Sequence, residues 1–216
     1  MTKRSLILAA AGKSSRFGDE DKLLKMLDGQ HLFLHSLKVF LKVTPKENIV
    51  LVVSPGQEDI YREICQKECG ITPTVIPGGS ERCHSVLRGL EQLSTDKLVA
   101  VHDAARPYIT EELAENAFKT AEEKGNVVVV KPVVDTIKVV DDRGRIRETP
   151  IRSSLRSAET PQIFNCSILK NAYSDAIQNG LTPTDESMAV ELTGETIYVH
   201  MHEGQNQKIT YSHDLD

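Results

Sequence analysis

The amino-acid sequence predicts an α/β protein of three layers, with helices on both faces of a mostly parallel, Rossmann-like sheet. Over the first 130 residues, short apolar runs rich in β-branched residues alternate with segments of helical periodicity. Polar or glycine-containing loops follow three of these runs. Right-handed crossovers between such strands place helices on both faces of the sheet. Because a single core can hold roughly 250 residues, the 216 residues predict one domain over 1–216.

The elements of the alternating part follow from these patterns. The predicted strands lie at residues 5–11, 48–54, 72–76, 97–102 and 126–130, and the predicted helices between them at 30–42, 57–69, 82–93 and 110–123. In the last helix Thr110 is a hydroxyl N-cap, and Glu111 and Glu112 lie near the positive end of the helix dipole. We therefore expect parallel strands joined by helical connections.

The pattern changes after residue 130. Residues 135–140 alternate between polar and apolar side chains, turn at 141–144 and resume at 145–147, which predicts a β-hairpin. A hairpin with few apolar residues does not fold well alone. We therefore expect an arm over about 135–155 that packs on a second subunit and makes a homodimer, the alternative being a solvated surface hairpin.

Three elements complete the predicted order. They are a helix at 167–179, a short helix that begins near Thr184, and a last strand at 196–201. Gly180 directly follows the longer helix, where glycine commonly ends helices.

Composition excludes several classes of function. A net charge of −5 argues against a general nucleic-acid or membrane surface. No segment approaches the ~20 apolar residues of a membrane span. The first apolar run is too short for a secretory signal, and the four cysteines have neither a C-x-x-C spacing nor paired histidines. We expect a cytoplasmic protein with free thiols, no nucleic-acid partner and no membrane partner.

The loop after the first apolar run has the properties of a polyphosphate site. Residues 12–18 are bounded by glycines and contain Lys13 and Arg16, and Lys22 follows. Backbone N–H groups and positive charge at the end of a buried strand suit phosphate. The loop has neither Walker A nor dinucleotide spacing, so a simple turn with solvated cations is the alternative. The loops at 78–82 and 102–107 favour the phosphate site, because ligands of open α/β sheets bind beyond the carboxyl ends of strands.

Seven short segments together carry a family resemblance. They are Ala10-Ala11-Gly12 with Arg16 and Lys22, Gly78-Gly79 with Arg82, Ser85 and Val86, the segment from His102 to Pro107, Asp135-Thr136, Thr160-Pro161-Gln162, Thr184-Asp185-Glu186, and Asn206 with Lys208-Ile209-Thr210. In this order they resemble the 2-C-methyl-D-erythritol 4-phosphate cytidylyltransferase family, nucleotidyltransferases with a glycosyltransferase-A-like α/β fold. The likeness covers nearly the whole chain.

The resemblance implies a reaction. A cytidylyl group would pass from CTP to 2-C-methyl-D-erythritol 4-phosphate, giving 4-diphosphocytidyl-2-C-methyl-D-erythritol and pyrophosphate in the non-mevalonate isoprenoid pathway. The attacking phosphomonoester is already an anion near neutral pH, so the enzyme needs to screen charge and align groups rather than supply a base. Mg²⁺ is expected as cofactor, carried mainly by the CTP phosphates with Asp103 as the candidate carboxylate. The alternative for Asp103 is a helix cap or a salt bridge with Arg106.

The resemblance also implies roles for individual residues. The catalytic candidates are Arg16, Lys22, Arg152 and Lys208; the nucleotide-binding candidates are Ala10, Ala11, Gly12, Gly79, Ser80, Ser85 and Asp103; the substrate-binding candidates are Asp103, Arg106, Thr136, Arg152, Thr160, Thr184 and Lys208. Arg16 and Lys22 would stabilise charge at the α-phosphorus, and the register favours Lys22 over Lys25. Because the arm is expected to reach across a two-fold axis, Arg152, Thr136 and Thr160 would serve the site of the neighbouring subunit. Arg82 either lines the site or only anchors its loop.

Two other functions are open at this point. A ribitol-5-phosphate cytidylyltransferase would share the cytosine loops, but its members usually have valine in place of Ala105 and alanine in place of Glu186. A non-catalytic nucleotide-binding module would not require two separate phosphate pockets. The sequence therefore favours the methylerythritol phosphate enzyme.

Overall fold

The computed structural model describes residues 3–12 and 21–215. In chain order its strands are β1 (Arg4–Ala10), β2 (Met26–Leu27), β3 (Gln30–His31), β4 (Ile49–Val53), β5 (Thr74–Pro77), β6 (Leu98–Asp103), β7 (Asn126–Pro132), β8 (Val139–Val140), β9 (Ile146–Glu148), β10 (Arg156–Asn165) and β11 (Ile197–Met201). Its α-helices are α1 (Leu32–Val43), α2 (Glu58–Cys69), α3 (Arg82–Leu90), α4 (Glu111–Lys124), α5 (Cys166–Gln178) and α6 (Glu186–Glu191). Two short 3₁₀ turns that bear on the site are Lys22–Leu24 and Arg152–Ser154.

The main sheet has seven strands in the order β11-β7-β10-β6-β1-β4-β5. All neighbouring pairs are parallel except those of β10, which runs antiparallel between β6 and β7. The chain moves from β1 to β4 and β5 on one side, and then crosses to β6 on the other side of β1. This reversal makes the carboxyl ends of β1 and β6 the expected place for a ligand.

Helices cover both faces of the sheet, as the sequence predicts. Because successive strand residues point to opposite faces, Leu6 and Leu8 belong to one core cluster and Ile7 to the other. The helices α1, α2 and α4 contribute to the first cluster, and α3, α5 and α6 to the second. The apolar run of β4 is buried along its whole length, which is typical of a central parallel strand.

The structure differs from the predicted elements at three places. The helix predicted at 30–42 begins at Leu32, because Gln30–His31 pairs with Met26–Leu27 in a small two-stranded sheet. The helix predicted at 82–93 ends at Leu90. Strand β10 has no strand pattern in the sequence, since it is polar at its start and contains Pro161. The proline lies within an irregularity of the pairing with β7, where a missing N–H is tolerated.

The arm is a hairpin, as predicted. Strands β8 and β9 pair antiparallel, and Asp141 Oδ1 accepts hydrogen bonds from the backbone N–H groups of Arg143 and Arg145 at the turn. Gly144 has a φ of 74°, a conformation that favours glycine. Apolar side chains of the arm are left exposed, with Ile146 at 63% and Ile151 at 74%. That the arm packs on a second subunit stays a prediction.

Within residues 3–12 and 21–215, no helix is both long and apolar enough to cross a bilayer.

Core packing on β4 gives a stability prediction. Leu51 is fully buried, so Leu51→Ala should lower the free energy of unfolding by about 2–5 kcal/mol. The matched control is Leu192→Ala, because Leu192 is 53% exposed and its truncation should cost under about 0.5 kcal/mol. Urea denaturation measures both. Equal losses in the two variants would contradict this account of the core.

Candidate active site

A cleft of about 830 Å³ opens at the carboxyl ends of the central strands. Its lining residues come from the loops after β1, β4, β5 and β6, from α3 and from the segment after β11: Ala9, Ala11, Gly12, Lys22, Leu23, Ser54, Pro55, Gly78, Gly79, Ser80, Glu81, Arg82, Ser85, Arg88, Asp103, Ala105 and Lys208. The volume is within the range of small-molecule sites. Most of the predicted nucleotide-binding residues therefore lie around one cavity.

Asp103, the last residue of β6, is the centre of the charged part of the cleft. Its Oδ2 accepts a hydrogen bond from Lys208 Nζ at 2.8 Å, and its Oδ1 accepts one from Arg82 Nη2 at 3.2 Å. The Arg106 Nε lies 3.9 Å from Oδ2. Burial alone would raise the pKa of Asp103, but the three cations outweigh it and hold the pKa well below its usual range. Asp103 is therefore ionised, and its ion pair with Arg106 is part of a larger cluster.

Arg82 is held by the carboxylate of Glu186, which is in turn bonded by Tyr173. The sequence pattern predicts neither contact. Arg82 Nη1 donates to Glu186 Oε1 and its Nη2 lies 3.1 Å from Glu186 Oε2, so the pair is bidentate. The Tyr173 hydroxyl donates to the same Glu186 Oε1 at 2.9 Å. Glu186 is fully buried, and Arg82 also faces the cleft. Arg82 thus both lines the site and anchors it. In the sequence, the only sign of this contact is that Glu186 belongs to the segment Thr184-Asp185-Glu186, which carries part of the family resemblance.

Two lysines approach the cleft from different parts of the chain. Lys22 Nζ donates to the Ile209 carbonyl at 2.8 Å, and the Ile209 N–H donates to the Ala105 carbonyl at 2.8 Å. This contact joins the turn at Lys22 to the segment that carries Lys208. Lys22 is among the lining residues and Lys25 is not, which agrees with the predicted register.

The segment after β11 that carries Lys208 is fixed by a buried amide. Asn206 Nδ2 donates to Glu159 Oε2 at 2.9 Å and to the Thr160 carbonyl at 2.8 Å. The carbonyl of Asn206 accepts a hydrogen bond from Arg106 Nη1 at 2.7 Å. His202 Nε2 also lies 2.9 Å from Glu159 Oε2. The Asn206 amide therefore positions this segment against β10, and Arg106 binds it from the loop after β6.

The loop after β5 has glycines because its neighbours leave no room for a side chain. A Cβ on Gly78 would lie 2.4 Å from Ala11 Cβ, and one on Gly79 would lie 2.5 Å from His84 Cβ. The Gly79 N–H donates to Ser85 Oγ at 3.0 Å, which joins this loop to α3. The loops after β1 and β5 are therefore in van der Waals contact at Ala11 and Gly78.

Thr160 lies beneath Asp103 rather than at the open part of the cleft. Its Oγ1 accepts a hydrogen bond from the Asp103 N–H at 3.1 Å and lies 3.1 Å from His102 Nδ1. Thr160 is 5% exposed. The hydroxyl thus orients β6 against β10. Burial lowers the pKa of His102 to about 4, so this imidazole is neutral at pH 7.

The other predicted residues lie away from the lining of this cleft. Thr136 and Arg152 are exposed on the arm, where Arg152 Nη1 donates to the Val134 carbonyl at 2.8 Å. Thr184 is exposed before α6 and its Oγ1 lies 3.6 Å from Met188 Sδ. Arg16 lies outside the described residues. The structure therefore gathers Lys22, Lys208, Ala11, Gly12 and the nucleotide candidates of residues 79–103 around the cleft. The Ala10 side chain is buried in the core instead, and the arm residues and Thr184 lie apart.

The donor set of the cleft bears on the expected metal ion. Within residues 3–12 and 21–215, no group of three or more His, Cys, Asp or Glu side chains could hold a metal ion. The ionised carboxylate of Asp103 borders the cleft beside cations that suit phosphate. This arrangement fits a Mg²⁺ ion that is held mainly by phosphate oxygens, because Mg²⁺ at such sites needs only one or two carboxylates.

Comparison with known proteins agrees with this geometry. The family model of IspD, 2-C-methyl-D-erythritol 4-phosphate cytidylyltransferase, matches residues 5–216. The chain belongs to this family. A curated relative of that name from Alkaliphilus metalliredigens (strain QYMF) is 39% identical over 218 residues, which cover 99% of this chain and 90% of the relative. The resemblance predicted from the sequence is thus confirmed, and this IspD family member is a cytidylyltransferase, an enzyme of the nucleotidyltransferase class.

Solved structures of the IspD family have the same fold. The 4-diphosphocytidyl-2C-methyl-D-erythritol synthase from Anaerococcus prevotii DSM 20548 has a TM-score of 0.86 at 26% identity, covering 99% of this chain and 93% of that one. The 2-C-methyl-D-erythritol 4-phosphate cytidylyltransferase from Thermus thermophilus has a TM-score of 0.81 at 28% identity, covering 100% of this chain and 96% of that one. The predicted α/β fold class is confirmed by this likeness and by the sheet order.

The close approach at Gly78 generates a prediction for this IspD family member. Gly78→Ala should push the loop after β5 away from Ala11, since overpacking costs about 1–3 kcal/mol. CTP should then bind on the order of tenfold more weakly in isothermal titration calorimetry. Gly204→Ala is the control, because its nearest non-neighbour atom would be 3.9 Å away. An unchanged affinity in Gly78→Ala would contradict the loop contact.

The neutral His102 generates a second prediction, for the pH dependence of stability. Its pKa is about 4 when folded and about 6.5 when unfolded, so the unfolded chain binds more protons between these values. Stability should therefore fall as the pH drops from 6.5 to 4. Between pH 7 and pH 4, the wild type should lose about 3 kcal/mol more than His102→Gln in urea denaturation. Parallel pH profiles for the two proteins would rule out His102 as the source.

Proposed function

We propose that this cytidylyltransferase transfers the cytidylyl group of CTP to 2-C-methyl-D-erythritol 4-phosphate in the cleft described above. The observation that carries the proposal is the convergence of Lys22, Arg82 and Lys208 on a cleft in which most of the other lining residues are small. Fixed cations at the carboxyl ends of strands suit two phosphorylated reactants. The small residues leave room for a pyrimidine base.

The nucleotide would occupy the side of the cleft formed by the loops after β1 and β5. Gly12 and Lys22 border the position proposed for the triphosphate, and Arg16, which lies outside the described residues, is proposed to join them. Backbone groups of Ala10, Ala11 and Gly79 would read the pyrimidine edge, with Ser80 and Ser85 supplying hydroxyls. The Gly79–Ser85 hydrogen bond supports this assignment, because it fixes the loop that would hold the base.

The acceptor phosphate would lie near Lys208. The contact of Lys208 with Asp103 supports this location, because the carboxylate holds the ammonium group at the edge of the cleft. Asp103 is proposed to bind hydroxyls of either reactant. Arg106 and Thr160 would act mainly by fixing the segments around Asp103, since Arg106 Nη1 already donates to the Asn206 carbonyl and Thr160 Oγ1 already accepts from the Asp103 N–H.

The chemistry requires alignment and charge screening. An oxygen of the acceptor phosphate attacks the α-phosphorus of CTP, a new P–O–P bond forms, and the bond to pyrophosphate breaks. Lys22 is placed to stabilise the negative charge that develops on the α-phosphate. No proton needs to be removed, because the phosphomonoester is ionised near neutral pH. Mg²⁺, held by the phosphates with Asp103 as protein carboxylate, would neutralise phosphate oxygens when bound.

The arm is proposed to complete the site across a homodimer. Arg152 and Thr136 are exposed on the arm and do not line the cleft of their own chain. The exposed apolar side chains of the arm, among them Ile146 and Ile151, support contact with a second subunit. Arg152, Thr136 and Thr184 would then contact the acceptor bound in a dimer.

The proposed compartment is the cytoplasm, in keeping with free thiols at Cys65, Cys69, Cys83 and Cys166.

Turnover with defined substrates tests the proposed function. Pyrophosphate release is measured with Mg²⁺, each nucleoside triphosphate, and either 2-C-methyl-D-erythritol 4-phosphate or ribitol 5-phosphate. CTP with methylerythritol phosphate should give the highest kcat/KM. Turnover only with ribitol 5-phosphate would show that ribitol 5-phosphate is the acceptor instead. Equal rates with ATP and CTP would contradict the proposed base selection. CTP binding without turnover would favour the non-catalytic module.

Two substitutions separate the proposed roles. Lys22→Ala should lower kcat by about 100-fold or more, because the lost contact acts on the transition state. Arg152→Ala should mainly raise KM for the acceptor, because it removes a phosphate contact. An unchanged acceptor KM in Arg152→Ala would show that the acceptor lies elsewhere.

Mixing the two variants tests the dimer. If Arg152 acts in the partner's site, mixed dimers regain one intact site. At an acceptor concentration at which Arg152→Ala alone is nearly inactive, exchange of equal amounts of the two variants should therefore restore about a quarter of wild-type activity. Absence of any recovery after exchange would place Lys22 and Arg152 in the same subunit's site.

A further inference from the structure

Tyr61 on α2 is a fully buried residue whose hydroxyl is directed at the turn that carries Lys22. The ring packs 4.7 Å from that of Phe33, centroid to centroid. A buried hydroxyl needs a hydrogen-bond partner, and Tyr61 donates to Asp21 Oδ2 at 2.9 Å. Burial and the adjacent Asp21 carboxylate both raise the pKa of Tyr61, so the hydroxyl keeps its proton. The core thus presents one fixed donor to Asp21.

Asp21 passes this constraint to the backbone at Lys22. Its second oxygen, Oδ1, accepts a hydrogen bond from the Leu23 N–H at 3.0 Å, so the carboxylate caps the 3₁₀ turn Lys22–Leu24. The Leu23 side chain is 4% exposed and holds the turn against the core. One carboxylate therefore links a buried tyrosine to the turn from which Lys22 projects.

We propose that Tyr61 is a positioning residue for the reaction, acting through Asp21 to hold Lys22 in the cleft. This inference rests on the proposed function, in which Lys22 stabilises charge at the α-phosphorus. Tyr61 does not line the cleft, so it acts without touching either reactant. Lys22 lines the cleft and donates to the Ile209 carbonyl, so a fixed turn sets where its amine lies.

The flexibility of the lysine side chain explains why a fixed turn at Lys22 matters for the reaction rate. A lysine has a flexible four-carbon stem, so its ammonium group is located no better than the backbone that carries it. In-line transfer is sensitive to small misplacement of a charged group. Loss of the Tyr61 hydroxyl should therefore weaken an interaction that is strongest in the transition state, which lowers kcat more than it changes KM.

Tyr61→Phe tests the proposal with the ring packing retained. Its kcat should fall on the order of tenfold, while KM for CTP and for the acceptor stays within about twofold. In a Lys22→Ala background the same substitution should have no further effect on kcat, because the residue it positions is gone. Asp21→Asn, which keeps an acceptor oxygen, should retain more activity than Asp21→Ala. Thr120→Val is the control, since it removes a hydroxyl bonded to the Asn116 carbonyl on α4.

Two kinetic outcomes in Tyr61→Phe, and one in the control variant, would overturn the proposal. One is a wild-type kcat in Tyr61→Phe. The other is an equal loss of kcat in the wild-type and Lys22→Ala backgrounds, which would mean that the hydroxyl only stabilises the fold. Loss of activity in Thr120→Val similar to that in Tyr61→Phe would have the same meaning.

A chemical readout separates this inference from the proposed function. Brief acetylation followed by peptide mass spectrometry gives the modification rate of Lys22 relative to that of exposed Lys67, which lies on the same helix as Tyr61. Tyr61→Phe should raise the Lys22 rate about twofold or more and leave the Lys67 rate unchanged, because the turn is less constrained. If the wild type failed to use CTP, the proposed function would fail, and an unchanged Lys22 rate would still overturn the positioning role.

Discussion

The burial of Asp103 is the constraint on which the rest of the site depends. A carboxylate that is 8% exposed must have cationic partners, because an unpaired buried charge costs several kcal/mol. Arg82, Arg106 and Lys208 supply them from three different segments. The pairing therefore does more than neutralise charge. It brings the start of α3, the loop after β6 and the end of the chain to the same point, at the carboxyl ends of the strands where the sheet order reverses.

Both guanidinium groups of this cluster make further contacts, because Arg82 binds Glu186 and Arg106 binds the Asn206 carbonyl. Glu186 in turn accepts a hydrogen bond from Tyr173, and Asn206 holds the segment before Lys208 against β10. Side chains that are already oriented lose little freedom when a polyanion binds. Such a cluster is suited to phosphate transfer, in which alignment of charged groups contributes more than acid–base chemistry.

The fold class can be predicted from the sequence because burial leaves a direct pattern of apolar residues. The buried parallel strand β4 is apolar throughout, and the helix predicted at 110–123 has apolar residues at helical spacing. The sequence does not predict strand β10, because three of its buried residues are polar. Glu159, Thr160 and Gln162 make hydrogen bonds to other segments, so no apolar run marks the strand. Likewise, no local pattern relates Arg82 to Glu186, which lie 104 residues apart. Contacts of this kind depend on the tertiary fold, so only the individual residues, and not their pairing, could be predicted.

The charge cluster and the small-residue loops form different parts of the cleft, and in the proposed function each part would hold one reactant. The loops after β1 and β5 meet at Ala11 and Gly78, whereas the cations gather around Asp103. Tyr61 and Asp21 add a fixed point at the turn that carries Lys22. A crystal structure with CTP and Mg²⁺ is the most direct test. The account predicts the triphosphate against Gly12 and Lys22 with the base against Gly79 and Ser85, and a triphosphate bound away from Gly12 and Lys22 would contradict it.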